Sequence, residues 1–459
     1  MFTDLLEKAY NVLASYRLCS NCLGRLFGML GTGLSNKDRG EAIMTILIMS
    51  ADQSLKKGCS EAADKLIRAV GNIIGFEAAE KFLFKLGLSN KHVDEECYLC
   101  GNIFLKLDNL ITESLAELKN YEFQTFLVGT NLDAKIIERE DNLRSRFEAG
   151  WGESIKSELN REIGKKINFN FKGLQADFDN PQLVIEYIIP DFKFRVKVNP
   201  VFIYGRYNKL VRGIPQTKWI CKKCGGAGCE KCGFKGKMYD TSVEELISVP
   251  VIKELSGETA KFHGAGREDI DAVMSGEGRP FVLEVKGVKK RFVELERIKK
   301  LIDNHAKGRV KVNELKWTTK DTVRKIKAFS KITKKTYKAF VELPSKVSDE
   351  DLERAGRMLS NIVIQQRTPI RVIHRRSDRL REKQIYSVKI KKISGRKLEL
   401  TIDCQGGLYV KELISGDGGR TSPSLSEILG TEAKCTRLDV LKVDFPDELI
   451  KNGALNSES

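Results

Sequence analysis

The residue types with the clearest chemistry in this chain are its cysteines. Cys221, Cys224, Cys229 and Cys232 form the run CKKCGGAGCEKC, two CxxC pairs separated by four residues. A CxxC turn presents two thiolates to one tetrahedral ion, and four sulfurs close a structural zinc site. The Gly-Gly-Ala-Gly linker lets the second turn fold back towards the first. Lys222, Lys223, Lys231, Lys235 and Lys237 offset the thiolate charge. The alternatives at this point are four free thiols, a redox pair, or pairs that each combine with distant partners. Cys19 and Cys22 (CSNC) with Cys97 and Cys100 (CYLC) make a second set, its pairs separated by 74 residues. One zinc there would staple the first turns of the chain to a later segment. Four protein ligands leave no open position for substrate, so both sites are expected to be structural. Cys59, Cys404 and Cys435 are isolated and read as buried small hydrophobes.

The second chemical feature is FHGAGREDIDAVMSGEGRPFVLEV, residues 262–285, where Glu268, Asp269 and Asp271 follow Arg267 in a glycine-rich loop. By composition this is either a polar turn with solvated carboxylates or a carboxylate held beside a basic groove. An acid facing RNA is repelled by phosphate, so it would be retained there for reaction and not for affinity. His263 and His374 adjoin promising stretches. A loop histidine more often bonds its neighbours or touches RNA than catalyses, so neither is given a chemical role.

Charge supplies the groove. The net charge of the 459-residue chain is +17. Lys286 to Lys338 holds 19 basic against 5 acidic residues, and Arg371 to Lys383 holds six against two. Such concentration favours a polyanion through counterion release, with an anionic membrane or an acidic protein as the other options. The longest apolar runs, such as Ala42–Ser50, are too short to cross a bilayer. The start MFTDLLEKAY lacks the basic and apolar regions of a secretory signal. A cytoplasmic, reducing setting is therefore expected, where cysteines bind metal more often than they pair.

Several further stretches keep a recognisable order: CSNCLGRLFG (19–28), FLVGTNLDAKIIERE (126–140), ESIKSELNREIGKKI (153–167), NPVFIYGRYNKLVRGIPQTKW (199–219), QRTPIRVIHRRSDRLR (366–381) and GGLYVKELISGDGGRTSPS (406–424). Together with GAGREDIDAVMSGEGRPFVLEV they resemble the tenth family of pseudouridine synthases, the archaeal and eukaryotic enzymes that modify the tRNA T arm at nucleotides 54 and 55. The likeness runs along nearly the whole chain. It implies that Asp269 is the nucleophile and that Tyr337, in KKTYKAFVEL, stacks on uracil and assists proton transfer. It also implies that Lys411, in LYVKEL, pairs with the aspartate, Arg267 being the alternative.

The implied reaction breaks the N1–C1′ bond of uridine and remakes it through C5. It is redox neutral and calls for no organic cofactor. The target base must leave its stack to be reached. The aspartate then acts at C1′ directly or after glycal formation. On its own pattern Tyr337 shares a strand face with Ala339, Val341 and Leu343, which fits ordinary core equally well. Arg267, Lys289, Lys290 and Arg291 on one side, and Arg371, Arg375, Arg376, Arg379 and Arg381 on the other, are expected to contact phosphate. The expected partner is tRNA, with no membrane and no obligatory protein partner evident. A non-catalytic, zinc-containing RNA-binding or RNA-chaperone protein would share the basic patches and the cysteines. The zinc repeat of protein co-chaperones occurs once only, without a J-type segment.

These residues need elements to position them. A length of 459 residues predicts two or three domains. Helices are expected over Asp4–Tyr16 (capped by Thr3), Glu61–Gly75, Thr112–Tyr121 and Glu153–Ile167, with strands at Glu122–Gly129, Leu183–Ile189 and Phe194–Tyr204, the last two joined by a turn at Pro190–Asp191. Further on, strands are expected at Phe281–Val285, Arg309–Trp317, Thr336–Leu343 and Leu438–Phe445, a hairpin at Ile385–Ile393 and Lys397–Cys404, a helix from Ser348 to about Asn361, and a short one at Tyr409–Ile414. The expected class is α+β: a C-terminal pseudouridine synthase fold with a mixed, largely antiparallel sheet, and an N-terminal zinc-bound α/β domain that the resemblance makes THUMP-like. The expected limits are 1–59 for an N-terminal helical segment, 60–205 for the THUMP-like unit, 206–240 for a zinc knuckle and 241–459 for the catalytic domain.

Overall fold

The computed structural model describes residues 4–88, 96–189, 191–330, 332–374, 376–446, 448 and 450. Thr3, Pro190 and Arg375, each given a part above, lie outside the described residues. The chain divides into two compact units, Met1–Asn199 and Pro200–Ser459. No helix among the described residues is long and apolar enough to cross a membrane.

In the first unit, helices surround a four-stranded sheet ordered Gln175–Ala176, Thr125–Asn131, Leu183–Ile188, Lys193–Val198. Its first two pairings are parallel and its last antiparallel. Leu183, Ile185 and Tyr187 alternate inward, as period-2 patterning requires, and Ser154 caps the helix Ile155–Asn170. Residues from Ala9 to Ile189 share one core, so residues 4–59 pack with the rest of this unit. The helices Ser20–Arg25 and Asn36–Lys56 cross at Gly24 and Gly40. A Cβ at Gly40 would lie 1.9 Å from the Ser20 carbonyl oxygen, so only glycine permits this approach.

Three expectations change here. The helix expected at Thr112–Tyr121 runs Ile103–Leu118, nine residues earlier at its start. Cys59 is exposed, preceding the helix Ser60–Gly71 at its cap position, and is not a core residue. The run Phe194–Tyr204 is two strands, Lys193–Val198 and Val201–Lys209, interrupted at Asn199–Pro200. The second belongs to the other unit's sheet, which moves residues 200–205 out of the N-terminal unit.

The second unit is built on a ten-stranded sheet. Its order is Val310–Thr318, Val201–Lys209, Val273–Lys286, Lys434–Val443, Lys334–Glu342, Lys397–Gln405, Leu380–Ser394, Ile362–Arg367, Thr421–Ser422, with Thr259–Gly264 paired to Val273–Lys286. Only the pairing of Lys434–Val443 with Val273–Lys286 is parallel, through Asp439 opposite Val273 and Val440 opposite Met274. The last strand of the sheet thus stands between two antiparallel halves. The hairpin Leu380–Ser394/Lys397–Gln405 forms where expected, and Ser348 caps the helix Asp349–Met358. Residues 213–240 have little regular structure beyond a 3₁₀ turn at Glu230–Cys232 and a bridge between Ile220 and Lys237.

Candidate active site and metal centres

The loop carrying Asp269 leaves the strand Thr259–Gly264 and returns into Val273–Lys286. Gly266 adopts φ +82°, a conformation that favours glycine. Buried polar groups hold the loop from below. Glu268 accepts from the Tyr207 hydroxyl at 2.8 and 2.9 Å and pairs with Arg279 Nε at 2.8 Å. Gln216 Nε2 donates to the Tyr207 oxygen and to the Gly266 carbonyl. Arg279 Nη1 donates to the Ala265 carbonyl. Lys209, fully buried, donates to the carbonyls of Ile214, Asp269 and Ile270 at 3.0–3.1 Å. Burial draws its pKa down to about 8, against the pull of Glu268 and Asp271. These bonds fix the backbone that carries the Asp269 side chain.

Asp269 is 34% exposed and faces two cations, Arg371 Nη1 at 3.4 Å and Lys411 Nζ at 3.6 Å. Both come from the other half of the sheet. Arg371 lies in the turn Ile370–Ile373, and its Nε also meets Glu412 at 2.6 Å. Burial alone would lower its pKa, but the bond to Glu412 and the charge of Asp269 outweigh this and raise it. Lys411 also bonds Asp271 at 2.8 Å. Partial burial of Asp271 opposes ionisation, yet Lys411 prevails and holds its carboxyl below the usual range. Gln366 fixes the start of the helix Val410–Ser415 by accepting from the Tyr409 N–H and donating to its carbonyl. Tyr337 is half-buried on Lys334–Glu342, and burial raises its phenol pKa above the ordinary value.

Of the expected phosphate contacts, Lys289, Lys290, Arg267, Arg376 and Arg379 are exposed. Arg267 lies over the Trp219 ring of the cysteine-rich segment, 5.1 Å from its centroid. Arg376 donates to the Tyr409 hydroxyl, and Arg381 is half-buried against Thr368. Arg291 differs from expectation: it is only 3% exposed, and burial lowers its pKa to about 10. It packs inside while its neighbours Lys289 and Lys290 stay in water. Sequence reading placed Arg371 among phosphate contacts. The structure sets it against Asp269, a pairing that spacing in the chain does not reveal.

The cysteines gather as two groups of four, Cys19/Cys22/Cys97/Cys100 and Cys221/Cys224/Cys229/Cys232, each with its sulfurs within 4.8 Å of one another. The shortest separations are 3.7 Å (Cys19–Cys100) and 3.8 Å (Cys221–Cys229 and Cys229–Cys232). Tetrahedral zinc with Zn–S bonds of about 2.3 Å spaces its sulfurs about 3.8 Å apart, so both donor sets fit such an ion. Beneath the first group the buried Arg25 meets Glu158 at 2.8 Å and Glu140 at 3.0 Å.

Residues 202–444 match the family model described as Pus10, C-terminal, and residues 111–187 match that of the Pus10 THUMP domain, archaeal. The tRNA pseudouridine synthase Pus10 of Methanothrix thermoacetophila is 40% identical over 445 residues, covering 96% of this chain and 95% of that protein. The chain belongs to the Pus10 family. The namesakes from Methanopyrus kandleri (40% identity, 97% of this chain and 99% of that one) and Aeropyrum pernix (36%, 97% and 98%) are similar to it at full length. Pus10 proteins are tRNA pseudouridine synthases, a class of isomerase, and the resemblance read from ordered motifs holds at the level of the family. The Pus10 C-terminal match contains the whole Asp269 site. The Pus10 THUMP match covers the sheet of the first unit except Ile188 and Lys193–Val198.

Proposed function

We propose that this chain converts uridine to pseudouridine in the tRNA T arm, at nucleotide 54, 55 or both, with Asp269 as covalent nucleophile. One observation carries the reading: a half-buried aspartate on a fastened glycine loop faces two cations, Arg371 and Lys411, from the opposite half of one sheet. The cations orient the carboxylate and balance its charge as RNA phosphates approach. With the target base flipped from its stack, the carboxylate reaches C1′ directly or after glycal formation. Tyr337 offers a ring for stacking. Its phenol, kept protonated by burial, moves the C5 proton as a donor–acceptor relay.

Lys289, Lys290, Arg267, Arg376, Arg379 and Arg381 serve the polyanion as phosphate contacts. Zinc held by each cysteine group supplies cross-linking and takes no part in the reaction. Incubating the purified protein with an unmodified tRNA transcript and mapping pseudouridine tests the whole reading. Pseudouridine at 54 or 55 is expected. Tight tRNA binding with no pseudouridine would instead favour the non-catalytic binder.

Arg371→Met keeps the length of the side chain and removes its charge. Misaligning the aspartate in this way is expected to slow single-turnover pseudouridine formation about 10²-fold, with tRNA affinity little changed. A rate equal to wild type would leave Lys411 as the sole partner that matters.

A further inference from the structure

Lys335 has no part in the reading above, yet it lies within the same constellation. It sits two residues before Tyr337 on Lys334–Glu342, hence on the same strand face. It is 5% exposed. Among the described residues no hydrogen bond or ion pair engages its ammonium. Nζ lies instead against the backbone of the Asp269 loop: a Cβ built on Gly266 would fall 2.9 Å from Lys335 Nζ and 3.3 Å from Arg279 Nη1. A cation this nearly buried and without a protein partner is costly and normally replaced or paired.

The surrounding charges do not relieve it. Arg279, from Val273–Lys286, is committed to Glu268 and the Ala265 carbonyl. Glu268 also accepts from Tyr207. Lys383, from Leu380–Ser394, donates to the Gly406 carbonyl, and Cys404 stands across from Lys335 on Lys397–Gln405. Three cations, Lys209, Arg279 and Lys335, thus share one buried carboxylate, Glu268, beside Tyr337. The arrangement suits an anion that exists only during reaction.

Such an anion arises when the N1–C1′ bond breaks. An Asp269 oxygen bonds C1′, and the electron pair of the broken bond remains on uracil, spread over N1, O2 and O4. When C5 bonds C1′, the carboxylate leaves with its own pair, the C5 proton is removed and N1 is reprotonated. We propose that Lys335 is a further catalytic residue, its ammonium donating a hydrogen bond to the uracil anion throughout this interval. Lys335 gains and loses no proton in the cycle. The proposal rests on the roles given to Asp269 and Tyr337.

Fixed charge aimed at charge that develops in the transition state is among the strongest devices an enzyme has. It also leaves a signature in pH. Burial, then Arg279 and Lys383, draw the Lys335 pKa to about 7 against the opposing pull of Cys404 and Glu268, so the charged form disappears as pH rises past neutrality.

The test is Lys335→Met in the full-length protein, read by single-turnover pseudouridine formation on tRNA between pH 6 and 9. Wild type is expected to slow above pH 7. The variant is expected to be about 100-fold slower at pH 6.5, to lack that decline, and to bind tRNA as before. Its melting temperature is expected to rise, since a nearly buried charge without a protein partner has been replaced by an apolar chain. Lys335→Arg, which stays charged, is expected to keep partial activity without the decline and so separates Lys335 from Lys209, which titrates nearby. A wild-type rate in Lys335→Met overturns the proposal, as does a slower rate accompanied by a lower melting temperature. If Asp269→Asn also turns over normally, the proposed function fails; if only Lys335→Met does, this inference alone fails.

Discussion

Asp269→Asn is expected to abolish pseudouridine formation, with a loss on the order of 10⁴- to 10⁶-fold, because an amide has no anionic oxygen to bond C1′. The substitution keeps shape and volume, so tRNA binding should persist or tighten as one negative charge leaves a surface that meets phosphate. Stability should change little: the pairs to Arg371 and Lys411 are long and partly in water, where such contacts contribute about 1 kcal/mol or less. The control is Asp271→Asn. Asp271 sits closer to Lys411, 2.8 Å against 3.6 Å, but is 67% exposed and hydrogen-bonded, which suits a partner that holds the lysine and not a nucleophile. It should keep most of the activity. Equal losses in both variants, or residual turnover above about one part in a hundred in Asp269→Asn, would place the nucleophile elsewhere.

The second large effect concerns the metal. The first cysteine group joins residues 19–22 to 97–100, and Cys22, Cys97 and Cys100 are buried in the core of their unit. A structural zinc there couples binding to folding, with apparent energies of about 10–16 kcal/mol in small domains. That is as large as the usual net stability of a domain, about 5–15 kcal/mol. Cys97→Ser is therefore expected to unfold the first unit, seen as lost helical circular dichroism and a lost thermal transition. Elemental analysis after gel filtration should give about two zinc ions per wild-type chain, one for each set of four sulfurs, and one in a variant lacking the second site, Cys221→Ser. The second variant should stay folded, since residues 213–240 carry few core contacts. Finding no zinc in the wild type would remove both sites.

Much of this was legible from residues alone because the relevant physics is local. A Ser at a helix start, a CxxC turn and an alternating strand each declare themselves within a few positions, as Ser348, Cys221–Cys224 and Leu183–Ile188 do. Properties that depend on partners from afar were not legible. Arg371 reads as one of many arginines until the turn Ile370–Ile373 brings it to Asp269, about a hundred positions earlier in the chain. Arg291 follows two exposed lysines and still turns inward. Phe194–Tyr204 reads as one β-rich run because only the Asn199–Pro200 interruption marks where the chain leaves one sheet for another. Leu295–Ala306 holds Leu295, Ile298, Ile302 and Ala306 at helical spacing, but its lysines draw notice to charge ahead of periodicity.

The position of Lys434–Val443 has a consequence for how the enzyme comes into being. Asp269 belongs to the half of the sheet made from residues 201–318, whereas Tyr337, Arg371 and Lys411 belong to the half made from residues 334–422. The strand that seams them is the last of the sheet to leave the ribosome. A growing chain complete through Lys411 therefore owns every proposed catalytic group and still lacks the seam that would hold them together. The proposed site is therefore expected to assemble only once residues 434–443 have been made and have paired with both halves.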